Sequence, residues 1–516
     1  MGETTLSSYL KTLNINRFSI IPAIHLRNGE VVRFTRGDIS QPTVFHTDPI
    51  ACAQQWIAEG ADWLQVVNLD AAFDEEARHN WELITQMTGL NVNIQFGGGI
   101  RSLDDVDWAM KSGIKRVILG TVAVEDPQVM AQAIAHYGSD AIVLGIDVDA
   151  SGEVKTHGWQ AAGSIQATAL AIQMRQLGVT TAVHTSIHLD GSMTGADLET
   201  SIELARVSGL RIIVGGGIGS MQDLRECFNK DGIDGVIIGK ALYSGKVNLR
   251  KAFKLAERKE SFESAVPAWK AEQDKPWNRF GYQLVEHNLK KHIPVDSPPL
   301  HVLDAGGGNG LDSLRLARMN HHIDLVDISR QMLNDARASA ALAGVTNRVV
   351  THAIDLFDIG NEFAGNEFDI VLCHNVIQFV DDVQPLLEIL ARVLKPGGFL
   401  SLISTNQYSL PYQAAFLEQD LDKAFELLDH NDGYNPVFDI HAHEFRANEV
   451  IEWLSSMGLE IEKHYGIRCL YNYWGTNKLK QSSLVYEKLK KLEFELTERY
   501  PYQLTARQFQ LIARKN

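Results

Sequence analysis

The sequence predicts an α/β chain of two domains, a closed barrel of eight βα units followed by an open, doubly wound sheet. Three observations carry this. Apolar, strand-like runs recur eight times between residues 18 and 256, mostly with amphipathic helical stretches between them. A glycine turn and a strand-end motif each occur twice, at matching places in the two halves of that region. Then Leu300-His-Val-Leu-Asp-Ala-Gly-Gly-Gly-Asn-Gly310 opens a second series with a strand, a tight turn and a helix start.

Composition bounds the answer. A chain of 516 residues exceeds one hydrophobic core. Hydrophobic content of 45% and charged content of 22% are those of a globular protein. No apolar run reaches the ~18 residues of a membrane span. Met1–Leu10 lacks the basic region and apolar core of a secretory signal. Cys52, Cys227, Cys373 and Cys469 show neither zinc spacing nor a disulfide framework. The expectation is a cytoplasmic protein with no metal. A net charge of −16 argues against a globally basic nucleic-acid binder, and DNA is not an expected partner.

The eight expected strands are Ser19–Leu26, Trp63–Leu69, Val92–Phe96, Arg116–Leu119, Ile142–Val148, Thr181–Ile187, Arg211–Val214 and Gly235–Ile238. Helices such as Pro49–Glu59, Leu103–Ser112, Pro127–His136, Ser164–Leu177 and Met221–Asn229 fall between them. Eight such units in this length match a (β/α)₈ or TIM barrel, whose site forms at the strand C-terminal ends.

Gly97-Gly-Gly-Ile-Arg-Ser102 after strand three recurs as Gly215-Gly-Gly-Ile-Gly-Ser220 after strand seven. Val117-Ile-Leu-Gly-Thr-Val-Ala123 recurs as Val236-Ile-Ile-Gly-Lys-Ala-Leu242. Each half therefore offers bare backbone for a phosphate: Gly98, Gly99 and Gly120 in one, Gly216, Gly217 and Gly239 in the other. A phosphorylated small molecule with a phosphate at each end is the expected ligand. Against this stands the plainer reading that these glycines only make tight turns.

Ile21-Pro-Ala-Ile24, Asn68-Leu-Asp-Ala-Ala-Phe73, Phe96-Gly-Gly-Gly-Ile-Arg-Ser102, His157-Gly-Trp-Gln160, Asp190-Gly-Ser-Met-Thr-Gly195 and Val214-Gly-Gly-Gly-Ile218 lie along the whole barrel. With them the first half resembles the histidine-biosynthesis isomerase that acts on phosphoribosylformimino-aminoimidazole carboxamide ribotide. The resemblance implies an aldose-to-ketose rearrangement, with carboxylates after strands one and five as the acid–base pair. Here His25 stands at the strand-one position and Asp147 at the strand-five position. After strand six the family's Thr-Asp-Ile-Ser-Arg-Asp-Gly-Thr reads Thr185-Ser-Ile-His-Leu-Asp-Gly-Ser192, so Ser186 and Leu189 are departures and Asp190 is kept. The candidate catalytic residues are His25, Asp147 and Asp190. His25→Asp alone is not expected to restore the family's full activity, because Ser186 and Leu189 stay altered at the strand-six rim.

Leu249–Lys259 reads as the last barrel helix, and 260–267 as a linker, giving domains 1–259 and 268–516. A partly helical stretch, 269–291, carries Trp269 and Trp277, which either cap a cofactor pocket or pack in a core. After the glycine turn the expected strands are Ile323–Val326, Arg348–Ala353, Phe368–Cys373 and Phe399–Ile403. Gln331–Leu342 and Pro385–Leu394 are helices, and Gly458–Tyr465 and Gln508–Ala513 supply a late antiparallel pair.

Leu303-Asp-Ala-Gly-Gly-Gly-Asn-Gly310, Val326-Asp-Ile-Ser329, Ala353-Ile-Asp-Leu356, Phe368-Asp-Ile-Val371 and Leu394-Lys-Pro-Gly-Gly398 together resemble Rossmann-like class I adenosylmethionine-dependent methyltransferases. The resemblance implies S-adenosylmethionine as cofactor. It places Asp304 before the turn, Gly306 and Gly308 at the cofactor's amino-acid end, Asp327 on the ribose hydroxyls and Asp355 near the adenine. His374 and Asn375 line the strand-four end. A narrower likeness covers Leu303–Gly308, Gly466–Tyr473 and Leu492–Tyr502. It is to the bacterial carboxyl methyltransferase of tRNA carboxymethoxyuridine. Pro276-Trp-Asn-Arg-Phe-Gly-Tyr282 departs from relatives of that enzyme by Gly281, which replaces a second arginine. From Tyr471 on, nine Lys or Arg stand against four acids, which makes tRNA one candidate partner and a solvated, ion-paired helix face the plainer alternative.

Three functions follow. The leading one is a methyltransferase, its acceptor open among carboxylate, hydroxyl and amine, fused to an isomerase-like barrel with altered catalytic positions. The second is a true bifunctional enzyme with His25 and Asp147 as the acid–base pair. The third makes the barrel a phosphate-ligand sensor or assembly module.

Overall fold

In the computed structural model, which describes residues 18–35, 38–228, 230–474 and 483–516, strand parity decides what the first half of the chain encloses. Met1–Leu10, Asn229, Lys478 and Lys480 lie outside the described residues. Eight parallel strands pair in chain order: β1 (Ser19–Arg27), β2 (Trp63–Asn68), β3 (Asn93–Gly97), β4 (Arg116–Leu119), β5 (Ile142–Val148), β6 (Thr181–Ser186), β7 (Arg211–Gly215) and β8 (Ile233–Ile238). β8 returns to β1, Ile20 opposite Val236, and the barrel closes. Two antiparallel excursions were not expected: Glu30–Thr35 with Asp38–His46 after β1, and Glu153–Thr156 with Ala161–Gln166 after β5.

Successive side chains of a strand face opposite ways. Ile20, Ile24 and Leu26 of β1, and Ile142, Leu144 and Ile146 of β5, face outward into the core shared with the helices. Ile21, Val143, Val183 and Ile213 face inward and plug the barrel. The same parity carries the inward column of β1 on to His25, that of β5 to Asp147 and that of β6 to Thr185. The helices begin where the sequence supplies caps. Asp48 accepts the amides of Ile50 and Ala51 at 3.0 Å, ahead of Pro49 in Pro49–Ala58. Ser102 and Asp105 form a capping box for Leu103–Lys111.

The chain divides into Met1–Glu257 and Arg258–Asn516. The helix Leu249–Gln273 contains this division, so residues 260–267, expected as a linker, are helical. The stretch lacks glycine and buries apolar side chains, which explains the difference. Val266 is fully buried, and Phe262 packs edge-on against Phe379 and Phe438. A second helix, Pro276–Lys290, precedes the sheet.

Among the described residues the main sheet of the second unit holds seven strands, β9 (His301–Ala305), β10 (His322–Val326), β11 (Val349–His352), β12 (Phe368–His374), β13 (Leu394–Thr405), β14 (Leu459–Ile467) and β15 (Gln508–Lys515), and Asp432–Asn435 pairs separately with Ile440–His443. Their order is β11-β10-β9-β12-β13-β15-β14. Only β15 runs antiparallel to its neighbours, β13 and β14. Lys395-Pro-Gly-Gly398, expected to separate a helix from a strand, lies inside β13, and the register with β12 shifts there. Pairing of Leu394 with Phe368 starts the strand before the glycines interrupt it. Among the described residues no helix is long and apolar enough to cross a membrane, and no group of three or more His, Cys, Asp or Glu is placed to hold a metal.

Candidate functional site

The barrel opens at the C-terminal strand ends into a cavity of about 210 Å³. His25, Asp147 and Asp190 all line it, as do Gly98, Gly99, Gly120, Gly216, Gly217 and Gly239. Every barrel residue singled out from the sequence as a catalytic or phosphate position thus meets in one space. Ser186 and Leu189 do not line it. Parity turns Ser186 outward, where its hydroxyl lies 3.1 Å from His188 Nδ1. The strand-six changes are therefore off the wall, and the stated ground for expecting His25→Asp to fail is removed. Of the three departures, only His25 reaches the cavity.

The glycines divide by cause. Gly98 (φ 95°) and Gly217 (φ 85°) adopt left-handed backbone, and a Cβ on either would meet the backbone of Asn68 or Gly195 at 2.3 and 2.0 Å. Tight packing explains both. Gly120 has no such φ, and a Cβ there would meet nothing nearer than 3.9 Å. Its missing side chain leaves the cavity wall bare, as the phosphate reading requires and the turn reading does not.

Burial, reinforced by the Arg33 guanidinium, holds the His25 imidazole well below its usual pKa, so it is neutral near pH 7. Burial pushes Asp147 up, against hydrogen bonds from Trp159 and Thr185 that lower it. Asp190 is raised for the same first reason, with Arg33 opposing. The cavity is therefore lined by a neutral imidazole and by carboxyls that resist ionisation.

Arg33, Lys155, Trp159 and Thr185 also line the cavity and were not singled out. Arg33 is buried, its Nε has no partner, and a Cβ on Gly239 would fall 2.6 Å from its guanidinium carbon. Its signal was a charge within the apolar run Val31-Val-Arg-Phe34.

In the second unit, β9 carries buried Asp304 one residue before its end, and the chain turns through Gly306 (φ 74°) and Gly308 (φ 55°). The amides of Gly306 and Gly307 donate to Val326 O at 2.8 and 3.1 Å. Asp327, at the end of β10, accepts from Gly308 N at 2.9 Å and from Ser329 N at 2.8 Å. Its carboxylate fastens the glycine turn to the next helix start, a job the sequence did not show. Burial pushes Asp304 and Asp327 each up to about 6. Trp269 lies over the turn, 3.5 Å from where a Cβ on Gly308 would stand. Of the two alternatives for this tryptophan, the structure places it at the turn. The side chain of Trp277 lies outside the described residues.

Asp355 lies past β11, and its carboxylate accepts Phe357 N at 2.9 Å. His374 has both ring nitrogens engaged, Nδ1 with Asp312 Oδ2 and Nε2 with Ser401 Oγ, each at 2.8 Å. That spends the ring on holding β12 to its neighbours. Asn375 (φ 58°) is exposed at the strand end and accepts from Gln508 Nε2.

Comparison with known proteins bears on both units. The family described as "Histidine biosynthesis protein" matches residues 19–248. A 1-(5-phosphoribosyl)-5-((5-phosphoribosylamino)methylideneamino)imidazole-4-carboxamide isomerase of Moorella thermoacetica is 42% identical over 239 residues, 46% of this chain and 98% of that protein. The chain belongs to that isomerase family through its barrel. The family's enzymes of the same name from Desulforamulus reducens and Lachnoclostridium phytofermentans are 40% and 39% identical, over 47% and 46% of this chain and 98% and 99% of their own lengths. Beyond the isomerase-family barrel, the family described as "Methyltransferase domain" matches residues 296–454. The protein is a fusion of an isomerase-family barrel and a methyltransferase domain.

Proposed function

We propose that the protein is an adenosylmethionine-dependent methyltransferase whose barrel keeps a working acid–base pair for isomerising a doubly phosphorylated ribotide. The carrying observation is the meeting of His25 and Asp147 in one cavity walled by the two glycine turns. Neutral His25 takes a proton from the carbon next to the sugar carbonyl position. Asp147, in the protonated form that burial favours, gives one to oxygen, so the product is an isomer with no atom gained or lost. Open Gly120 on one half, and Gly239 with the Arg33 guanidinium against it on the other, suit the two phosphates.

The methyltransferase residues fit the cofactor the fold implies. The turn is closely packed, with Val376 2.6 Å and the Asp304 carboxyl 2.4 Å from where Cβ atoms on Gly306 and Gly307 would stand, so only glycine keeps the backbone in this path. A buried acceptor, Asn309 Oδ1, has no partner in the protein. Gly306 and Gly308 would approach the amino-acid end and Asp327 the ribose. Bound there, adenosylmethionine supplies an electrophilic methyl group. The chain's own part is to orient the acceptor in line and exclude water.

Full-length protein assayed on the ribotide tests the barrel. Turnover that Asp147→Asn lowers by ~10²–10⁴-fold supports the pair. Tight ribotide binding without turnover would instead favour a sensor, and neither would end the barrel reading. Calorimetric titration with adenosylmethionine tests the other unit.

A further inference from the structure

The end of β14 carries a guanidinium that no carboxylate among the described residues contacts directly. Arg468 follows the strand in left-handed backbone, φ 63°. Its Nη1 donates to Asn278 Oδ1 at 3.2 Å and its Nη2 to Gln508 Oε1 at 3.3 Å, both neutral amide acceptors. Its Nε is buried without a partner. Among the described residues no carboxylate lies within 4 Å of this guanidinium. Glu493, the acid nearest in influence, gives its carboxylate to the backbone amides of Cys469, Leu470 and Tyr471.

A second arginine adjoins the first through its backbone. Arg507 N donates to Arg468 O at 3.2 Å, so the two backbones are held together. Arg507 Nη1 reaches Ser409 Oγ at 3.3 Å and stands 3.7 Å from Glu444 Oε1. Burial pushes the Glu444 carboxyl up, which weakens it as a counter-charge. Burial and then Arg507 bring Arg468 down to about 10. Two like charges in one place, one with only neutral partners, favour an anion from outside the chain.

The location gives that anion a role. Gln508, which accepts from Arg468, donates to Asn375 just past β12. The pair thus sits at the carboxyl ends of the parallel strands, where doubly wound sheets receive ligands. We propose that Arg468 and Arg507 form an oxyanion site in the methyltransferase domain and that it anchors the methyl acceptor through a carboxylate or a phosphate. The acceptor role rests on the methyltransferase reading above; the oxyanion site rests on the side-chain geometry. Planar guanidiniums bind either group in two-pronged fashion, which would fix one end of the acceptor and leave its nucleophile to face the cofactor.

Crystals of the full chain, soaked separately in inorganic phosphate and in malonate, test this. The expected result is anion density between the two guanidiniums in at least one soak, absent in Arg468→Gln crystals. Phosphate alone points to a phosphorylated acceptor, and malonate alone to a carboxylate. An empty site in both soaks overturns the proposal. In solution, Arg468→Gln and Arg507→Gln should each weaken the favoured anion at this site more than tenfold, with Arg468→Lys losing less. Equal affinity in wild type and in a glutamine variant that melts like wild type overturns it; Arg507→Gln serves if Arg468→Gln fails to fold. Adenosylmethionine titrated into the same proteins separates the two readings. Cofactor binding kept in the glutamine variants supports the acceptor anchor. No cofactor binding in wild type removes the acceptor role and leaves the oxyanion site to be judged by the soaks.

Discussion

Trp159 Nε1 donates a 3.0 Å hydrogen bond to Asp147 Oδ2, from a backbone held at φ 73°. A tryptophan in left-handed backbone is sterically disfavoured, so its surroundings hold it there. The bond favours ionised Asp147 and opposes the effect of burial. Trp159→Phe should therefore raise the Asp147 pKa further. Where Asp147 must be protonated, turnover falls as pH rises through that pKa. The alkaline limb of the barrel's pH–rate profile should then move up by about one pH unit in the variant. An unmoved limb would show that another group titrates.

His25 governs the other limb. A base must be neutral, so turnover rises as pH rises through its lowered pKa and is level by about pH 6.5. Arg33→Met removes the second cause of that lowering and should shift the acid limb toward higher pH, with burial still holding it below the free value. A profile that does not move excludes His25 as the base.

The strand-six departures give a paired test. His25→Asp alters a group in the cavity and should change ribotide turnover at least tenfold. Ser186→Asp alters a residue off the cavity wall and should change it less than about twofold in protein of unchanged melting temperature. The reverse order would return the strand-six rim to the site.

These contrasts mark what could be read without coordinates. Recurrent apolar runs marked the barrel strands, and the doubled turns located both glycine sets, because hydrophobic runs and backbone conformation are local properties. Whether Ser186 faces in or out is equally local: its parity on β6 is opposite to that of Thr185, which lines the cavity. Arg33 was missed although Asn28-Gly29 is a strong hairpin signal, because the folding of that hairpin to bring Arg33 onto the barrel mouth is a tertiary fact. His374 was expected at a ligand. Its two partners, Asp312 and Ser401, come from elements far apart in the chain, and no local pattern announces such a pairing.

Asp327 should show a double dependence. Asp327→Ala removes charged hydrogen bonds and should weaken adenosylmethionine by ~1–3 kcal/mol. In wild type, affinity should fall as pH drops through about 6, where the carboxylate takes up its proton. The linkage to folding has its own sign. Because the folded pKa is raised, this group's contribution to stability is full below the unfolded pKa of about 4 and is lost as pH rises through about 6. Calorimetry across that range checks the binding, and thermal melts check the stability.

Gly306 combines φ 74° with a Cβ position 2.6 Å from Val376 Cγ2. Gly306→Ala should cost about 1–3 kcal/mol in urea unfolding of this domain. Adding Val376→Ala relieves the collision and leaves the backbone strain, so rescue should be partial. Full rescue would assign the whole effect to the contact.

β14 pairs with β15 and with no other strand of its sheet, and β15 lies between it and β13. A chain emerging from a ribosome therefore exposes the bonding edge of β13 until residues 508–515 appear. During that interval both β13 and β14 offer unpaired edges to any neighbouring chain. The order of strands in space makes the methyltransferase sheet assemble late, and its greatest hazard lies in synthesis and not in the finished protein.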